Sequence, residues 1–203
     1  MDRTHDSRPL VELARRWVVE HYPYNRDHLI RAFEWVLRLE PNASEAVQLA
    51  ALTHDMERAF PGPDQPVHTD LNDVGYERLH SERSARIVCE WLREQDADEP
   101  LVTEVGSLIR AHEVGGWPEA DLVQAVDSLS FLETNIGLFL NFARNGRFSV
   151  DEVHDKFIRS YTRIRLPHVQ AIATPLFEAA LVSLTAVARE VPAPFPSPHG
   201  ADG

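Results

Sequence analysis

Cysteine is almost absent from the sequence, with Cys89 as the single example. One thiol cannot form an intrachain disulfide, and it cannot supply the several thiolates of a metal cluster. Basic residues are also few: 20 Lys and Arg stand against 32 Asp and Glu, which gives a formal net charge of -12. A surface of that charge repels phosphate backbones, so we expect no binding to nucleic-acid polymers.

Long hydrophobic runs are missing as well. No run approaches the roughly 18 uninterrupted apolar residues of a membrane helix. The first ten residues, MDRTHDSRPL, contain no apolar stretch of the kind that a signal peptide needs. We therefore expect a soluble, cytoplasmic protein with no membrane partner. The sequence also shows no repeats, no glycine-rich phosphate loop and no convincing pair of strands.

What the sequence does contain is a series of apolar patterns with helical spacing, separated by breaks that proline and glycine mark. A hydrophobic content of 43% is enough for one sizeable core. We predict helices over residues 8–21, 26–40, 76–95, 119–143, 150–165 and 167–190, with two more that begin at Ser44 and near Pro100. These patterns predict an all-α protein with a single domain over residues 1–190. A Pro-rich, disordered tail is expected over residues 191–203, and a long irregular loop over residues 61–76.

Several ionisable residues fall at positions where the helical pattern predicts burial. His54 and His112 each end an apolar stripe, and Asp127 lies inside a long apolar helix. His28 lies in the first turn of the second predicted helix, and His80 opens the fourth. Each of these residues alone is more often a hydrogen-bonded core residue than a metal ligand. Together they form a set that could meet at one centre, because imidazole and carboxylate are the usual ligands of divalent metals in helical bundles.

The adjacent pair His54-Asp55 strengthens this interpretation. Neighbouring residues on a helix point about 100° apart and do not form an ordinary side-chain pair. The pair follows the apolar residues 49–52, where an unpartnered carboxylate would be costly. A metal ion beyond the end of the helix would explain both side chains.

The order H…HD…H…H…D resembles the HD superfamily of metal-dependent phosphohydrolases, over about residues 20–135. This resemblance implies a helical bundle with a metal site in its core and the C-terminal helices packed on it. It also implies that one histidine, the HD pair and the distal aspartate hold a first metal, and that two intermediate histidines hold a second. Asp55 would bridge the two metals. The implied ligands are His28, His54, Asp55, His80, His112 and Asp127.

One position departs from the pattern of many HD hydrolases, which have HD-x-x-K. Here the stretch is HDMER, with Arg58 in the third place after Asp55. An arginine can grip a phosphate with two parallel hydrogen bonds, so Arg58 is a candidate catalytic residue beside Asp55. A salt bridge to a neighbouring acid is the plain alternative.

Candidate substrate-binding residues lie further along the chain. Lys156, Arg159 and Arg163 recur at helical spacing and form a basic stripe, which is unexpected in so acidic a protein. A solvated helix face is the commoner explanation for such a stripe. Arg26 precedes His28 by two residues, and Glu113 follows His112 directly; both are further candidates.

The resemblance favours a metal-dependent phosphohydrolase that acts on a small phosphorylated metabolite or nucleotide. Two divalent ions are implied, with iron or manganese preferred and cobalt, nickel or magnesium also allowed. Two alternatives stay open: a di-iron HD-type oxygenase that cleaves a C–C or C–P bond, and a non-catalytic metal-binding regulatory module. The substrate stays unassigned, and so does the oligomeric state, with a homodimer among the options.

Overall fold

The computed structural model describes residues 9–67 and 70–190. Within these residues it contains nine α-helices, one short 3-10 helix and no strand, which confirms the predicted all-α fold. The α-helices are α1 Leu10–His21, α2 Arg26–Leu39, α3 Glu45–Thr53, α4 Val74–Glu94, α5 Glu99–Ala111, α6 Pro118–Thr134, α7 Ile136–Arg144, α8 Val150–Thr162 and α9 Pro167–Glu190. The 3-10 helix, Met56–Ala59, follows α3. The predicted tail at residues 191–203 lies outside the described residues.

Polar caps begin the three helices that carry half of the candidate ligands, His54, His80 and His112. The side chain of Ser44 accepts a hydrogen bond from a backbone N–H at the start of α3, and Asp98 does the same for α5. Asp73 caps α4, so this helix begins at Val74, two residues before the predicted start. His80 therefore lies in the second turn of α4 and does not open the helix.

The single helix predicted for residues 119–143 is wrong, because the chain divides there into α6 and α7 at Asn135. The hydroxyl of Thr134 donates to the Ser130 carbonyl and lies 3.1 Å from the Asn135 side-chain oxygen. Bonds from Ser or Thr to the carbonyl four residues back also occur inside the unbroken α9, so this bond alone does not explain the break, and apolar periodicity does not mark it. Asn135 itself is buried, and the break gives α7 its own direction.

Two contiguous hydrophobic clusters form the interior. The first joins α1 to α5 with the start of α6, and the second joins the end of α6 with α7, α8 and α9. Helix α6 contributes to both: Val123 and Val126 belong to the first cluster, and Leu129 and Phe131 to the second. The C-terminal helices therefore pack on the same helix that carries Asp127.

Helix α9 is long and apolar enough to cross a membrane by length and composition alone, with a mean hydropathy of 1.7 in its most apolar window. Only 22% of that window is buried. A single helix of this kind is weak evidence for a membrane span, although α9 is less buried than the core helices of soluble proteins that pass the same test. Val169, Ala173 and Leu184 pack α9 into the second cluster, so a soluble protein remains the plausible state.

Candidate metal centre and its cavity

The six predicted ligands meet in one place, although they come from five helices and lie up to 99 positions apart in the sequence. His54 and His112 are the C-terminal caps of α3 and α5, so both side chains project beyond a helix end. All six are buried, with no more than 6% of any residue exposed: His28, His54, Asp55, His80, His112 and Asp127. Their ligand atoms belong to groups in which every pair lies within 4.8 Å.

The first group consists of His28, His54 and Asp127. The Nε2 atoms of the two histidines are 3.3 Å apart. Asp127 Oδ1 lies 3.1 Å from His28 Nε2 and 3.4 Å from His54 Nε2. One carboxylate oxygen and two ring nitrogens therefore face a common point.

The second group surrounds His80 and His112, whose Nε2 atoms are 3.4 Å apart. Asp55 Oδ1 lies 3.1 Å from His80 Nε2. Asp55 also forms a group with His54 and His112, so it lies between the two centres. Glu113 Oε1 lies 3.6 Å from His112 Nε2, which puts this carboxylate among the candidate ligands as well.

The hydrogen bonds of the rings indicate why these contacts favour a bound cation. His54 Nδ1 donates to the Ala51 carbonyl at 3.0 Å, and His112 Nδ1 donates to the Ile109 carbonyl at 2.6 Å. In a neutral imidazole the proton is then on Nδ1, and Nε2 carries a lone pair. Lone pairs that face one another and carboxylate oxygens repel in a buried site. A divalent metal between them removes the repulsion, and the donor set of imidazoles and carboxylates fits such an ion.

The pKa shifts of the site report the same concentration of negative charge. Burial acts to lower the pKa of His54, but the Asp127 and Asp55 carboxylates outweigh it, and the net shift is upwards. Burial acts to raise the pKa of Asp127, but Arg163 and His54 hold it well below its usual range. Ionised carboxylates around His54 and His80 therefore attract positive charge, which a proton on the ring or a bound metal ion can supply.

Two arginines contact the candidate ligands directly. Arg58 donates to Asp55 Oδ2 at 2.8 Å, so the salt bridge expected as the plain alternative is present. Arg58 also lines the cavity described below, which keeps a substrate role open. Arg163 reaches across from the end of α8 and donates to both Glu113 and Asp127.

A supporting pair, Glu57 and Arg83, was not predicted from the sequence. Both residues are buried. Glu57 Oε1 lies 3.2 Å from His80 Nδ1, and Arg83 donates to Glu57 Oε2 at 3.2 Å and to the Glu57 carbonyl at 2.8 Å. A carboxylate on the outer nitrogen of a metal-binding histidine fixes its orientation and tautomer. The acidic residue two places after Asp55 was the only signal, and an acid there is ordinarily expected to be exposed.

We predict that Glu57→Gln weakens the second metal while preserving the first. The amide keeps the shape but removes the charge that holds His80, and losses of this kind are about 10- to 100-fold in metal affinity. Titration of apo protein with Mn²⁺ or Co²⁺ measures this. Glu82→Gln is the matched control, because Glu82 lies on the same helix α4 and pairs with Arg110 on the exposed surface. Equal affinities for Glu57→Gln and the unsubstituted protein would show that Glu57 has no such role.

Three of the six candidate ligands, His28, Asp55 and Asp127, line a cavity of about 480 Å³. We call the part of the lining that contains Asp55, Arg58, Asp127 and three tyrosines the polar end, and the part made of Leu138 and four phenylalanines in contact with one another the apolar end. The residues that line it are Tyr22, Tyr24, Asn25, His28, Asp55, Arg58, Leu71, Tyr76, Glu77, Glu113, Asp127, Phe131, Asn135, Leu138, Phe139, Phe142, Arg147, Phe148, Lys156, Ser160 and Arg163. This size is typical of a small-molecule site.

The predicted substrate-binding residues divide into two sets. Lys156, Arg163 and Glu113 line the cavity, so the solvated-face explanation of the basic stripe is wrong for that part of it. Arg159 does not line the cavity and is bound to Glu77, which does. Arg26 also lies outside it: its side chain is 43% exposed and pairs with the neighbouring Asp27.

Lys156 has a further property that the sequence-based prediction did not use, since it is the only lysine among the 20 basic residues of the chain. Arg163 and Arg159 are ion-paired with carboxylates. Lys156 instead places its Nζ atom 5.7 Å from the centre of the Phe131 ring, and it forms no ion pair with any described residue. Lys156 and Arg147 are therefore the two cavity cations that are not bound to a carboxylate among the described residues.

The fold and site together define an all-α protein with a buried histidine–carboxylate cluster that opens into a cavity. The chain belongs to the family described as "Domain of unknown function (DUF4202)", whose model matches residues 1–165. This range contains every residue that lines the cavity. No curated protein and no solved structure matches the chain.

Proposed function

We propose that the protein is a metal-dependent phosphohydrolase of the HD type that acts on a small phosphate monoester. The observation that carries the proposal is the convergence of four histidine Nε2 atoms and two carboxylates on adjoining centres at the end of a cavity. Burying so many ionisable groups together costs free energy, and a purely structural core would use other hydrogen-bonded residues. Imidazole and carboxylate are instead the usual ligands of divalent metals. The cofactors we propose are two divalent ions, with iron or manganese preferred.

The charges of the cavity favour an anionic substrate. Four basic side chains line it, Arg58, Arg147, Lys156 and Arg163, and so do four acidic ones, Asp55, Glu77, Glu113 and Asp127. The formal charges of the two sets cancel when no metal is bound. Two divalent ions would leave a strong positive excess in a site of low dielectric constant, which a phosphate dianion would neutralise.

Some of the protein residues would bind the metal ions, and others would bind the phosphate ester. When bound, two divalent ions supply an activated water and neutralise the phosphoryl oxygens. Asp55, between the two groups, would hold the reacting centre in place, and Arg58 fixes the second oxygen of Asp55. Lys156 and Arg163 would bind phosphate oxygens from the opposite wall. The surrounding helices exclude bulk water from the cluster.

A paired assay separates hydrolysis from the alternatives. Metal-reconstituted protein is screened for phosphate release from a panel of monoesters, and oxygen uptake is recorded on the same samples. Phosphate release without oxygen uptake is expected. Oxygen uptake with the iron-loaded protein and no phosphate release would replace the proposal with the di-iron oxygenase. Neither activity, with both metals bound, would favour a regulatory module.

We also propose a cytoplasmic location. Soluble expression without a membrane fraction would agree with this proposal.

We predict that Lys156→Met raises KM and lowers kcat/KM by roughly tenfold to a hundredfold, because a charge-assisted hydrogen bond is worth about 1.5–3 kcal/mol. Metal content should not change, since Lys156 contacts none of the ligands. Chemical labelling gives a second measurement, because the chain contains a single lysine. An amine-reactive reagent can label only Lys156 and the N-terminus, and inorganic phosphate should protect Lys156 from it.

The matched control is Arg86→Met, which removes an exposed cation that pairs with Asp64 on the surface. This variant should keep the kinetics of the unsubstituted protein. Unchanged KM in Lys156→Met, together with labelling that phosphate does not slow, would remove Lys156 from the substrate site.

A further inference from the structure

The apolar end of the cavity is a continuous aromatic wall. Ring centres of consecutive phenylalanines are separated by 5.1 Å for Phe131 and Phe139, 5.5 Å for Phe139 and Phe142, and 5.9 Å for Phe142 and Phe148. Leu138 completes the lining, and it is 46% exposed. These residues come from α6, α7 and the turn that follows α7. The break at Asn135 is therefore what creates the wall.

This wall adjoins the polar end through Lys156. The Lys156 amine lies 5.7 Å from the Phe131 ring centre, and Phe131 is the first ring of the series. A phosphate held by Lys156 would thus have the aromatic wall beside it. The cavity has an anion-binding end and an apolar end that meet at one side chain.

The phenylalanines and Leu138 at the apolar end offer no side-chain hydrogen-bonding group. Arg147 is the charged residue there, and its guanidinium carbon lies 4.5 Å from the centre of the Phe142 ring. A guanidinium in this position binds the face of an aromatic ring by a cation–π interaction. It can bind the ring of an aromatic ligand in the same way. A sugar in this place would turn its hydroxyls toward phenylalanine carbons and lose its hydrogen bonds with water. An aromatic group would bury its apolar surface and gain edge-to-face contacts.

We infer that the substrate is a phosphate monoester whose organic part is an aromatic group without a sugar, seated against Phe139, Phe142 and Phe148. This inference rests on the proposed function, because it assigns the substrate class of the same site. It adds that the aromatic wall, and not the metal ligands, selects the substrate. A sugar phosphate or a nucleotide would bind less well than an aryl phosphate of smaller size.

Binding of non-hydrolysable phosphonates tests the inference without any turnover. Calorimetric titration of the metal-loaded protein compares phenylphosphonate, methylphosphonate and the methylenephosphonate analogues of glucose 6-phosphate and adenosine 5′-monophosphate, in which carbon replaces the ester oxygen. We expect phenylphosphonate to bind at least about tenfold more tightly than methylphosphonate, given the apolar area of a phenyl ring. The other two ligands should bind more weakly than phenylphosphonate.

Two variants assign the preference to the wall. Phe142→Ala should reduce the ratio of the two phosphonate affinities to about one while methylphosphonate affinity stays constant. Phe142 lines the cavity but is not part of either core cluster, so the fold should survive. Leu138→Ser, at an exposed position, should reduce the same ratio severalfold. Phe177→Ala is the matched control, because Phe177 stacks on Tyr161 away from the cavity.

The outcomes separate this inference from the proposed function. Equal affinities for phenylphosphonate and methylphosphonate, or tighter binding of either sugar ligand, would overturn the aromatic substrate and leave the phosphohydrolase intact. A phenyl preference that persists in both Phe142→Ala and Leu138→Ser would overturn the role of the wall. Failure of both phosphonates to bind the metal-loaded protein would overturn the phosphate site and the inference together.

Discussion

His54→Ala and Asp55→Ala are expected to abolish phosphate release and to lose bound metal, while far-ultraviolet circular dichroism still reports a helical protein. His54 supplies a ring nitrogen to the first group and lies within reach of the second, and Asp55 lies between the two. Neither change removes a large part of the apolar core. Activity should fall by at least about a thousandfold, because metal-bound water and charge neutralisation are lost together.

Metal analysis of the purified variants measures this effect directly. The control is His154→Ala, whose ring lies on the exposed face of α8 with 46% of its side chain accessible. This variant should retain full metal content and activity. Full occupancy in both His54→Ala and Asp55→Ala would remove the pair from the site.

The number of metals is the second large effect. We predict up to two divalent ions per chain, and about one in His80→Ala or His112→Ala. The reason is geometric: the Nε2 atoms of His80 and His112 face one another at 3.4 Å, whereas Asp127 contacts the rings of His28 and His54 in the first group. Loss of one ion should leave the remaining ion bound but the activity reduced severely, since both charges act on the same phosphate.

Stoichiometry under metal-saturating conditions decides this point. His21→Ala is a suitable control, because His21 bonds to the Trp17 carbonyl at the end of α1, away from the cluster. A stoichiometry that never exceeds one in the unsubstituted protein would contradict the dinuclear site. Unchanged stoichiometry in His80→Ala and His112→Ala would assign the second ion to other residues.

The ordered histidine pattern is informative because burying an ionisable group costs free energy. A ring or carboxylate that interrupts an apolar stripe needs a partner, so the apolar stripes of α3, α5 and α6 are enough to single out His54, His112 and Asp127 in the sequence. The structure brings these residues together, as expected. Their function as ligands stays a prediction.

Other parts of the site depend on contacts that one sequence cannot reveal. Arg163 reaches Glu113 and Asp127 across 36 or more positions, and the choice between a solvated and a site-facing stripe is decided by how α8 packs on α6. Glu57 lies in a 3-10 turn whose direction the apolar pattern does not define. The aromatic wall exists because the helix breaks at Asn135, and the apolar pattern of residues 119–143 continues across this break without marking it.

The central claim is that two metals occupy the histidine–carboxylate cluster, and anomalous diffraction tests it most directly. Crystals grown with Mn²⁺ are measured on both sides of the manganese absorption edge. We predict two anomalous peaks per chain, one bounded by His28, His54 and Asp127 and the other by Asp55, His80 and His112. Saturated crystals with no peak in this cluster, or with manganese bound only elsewhere on the chain, would contradict it.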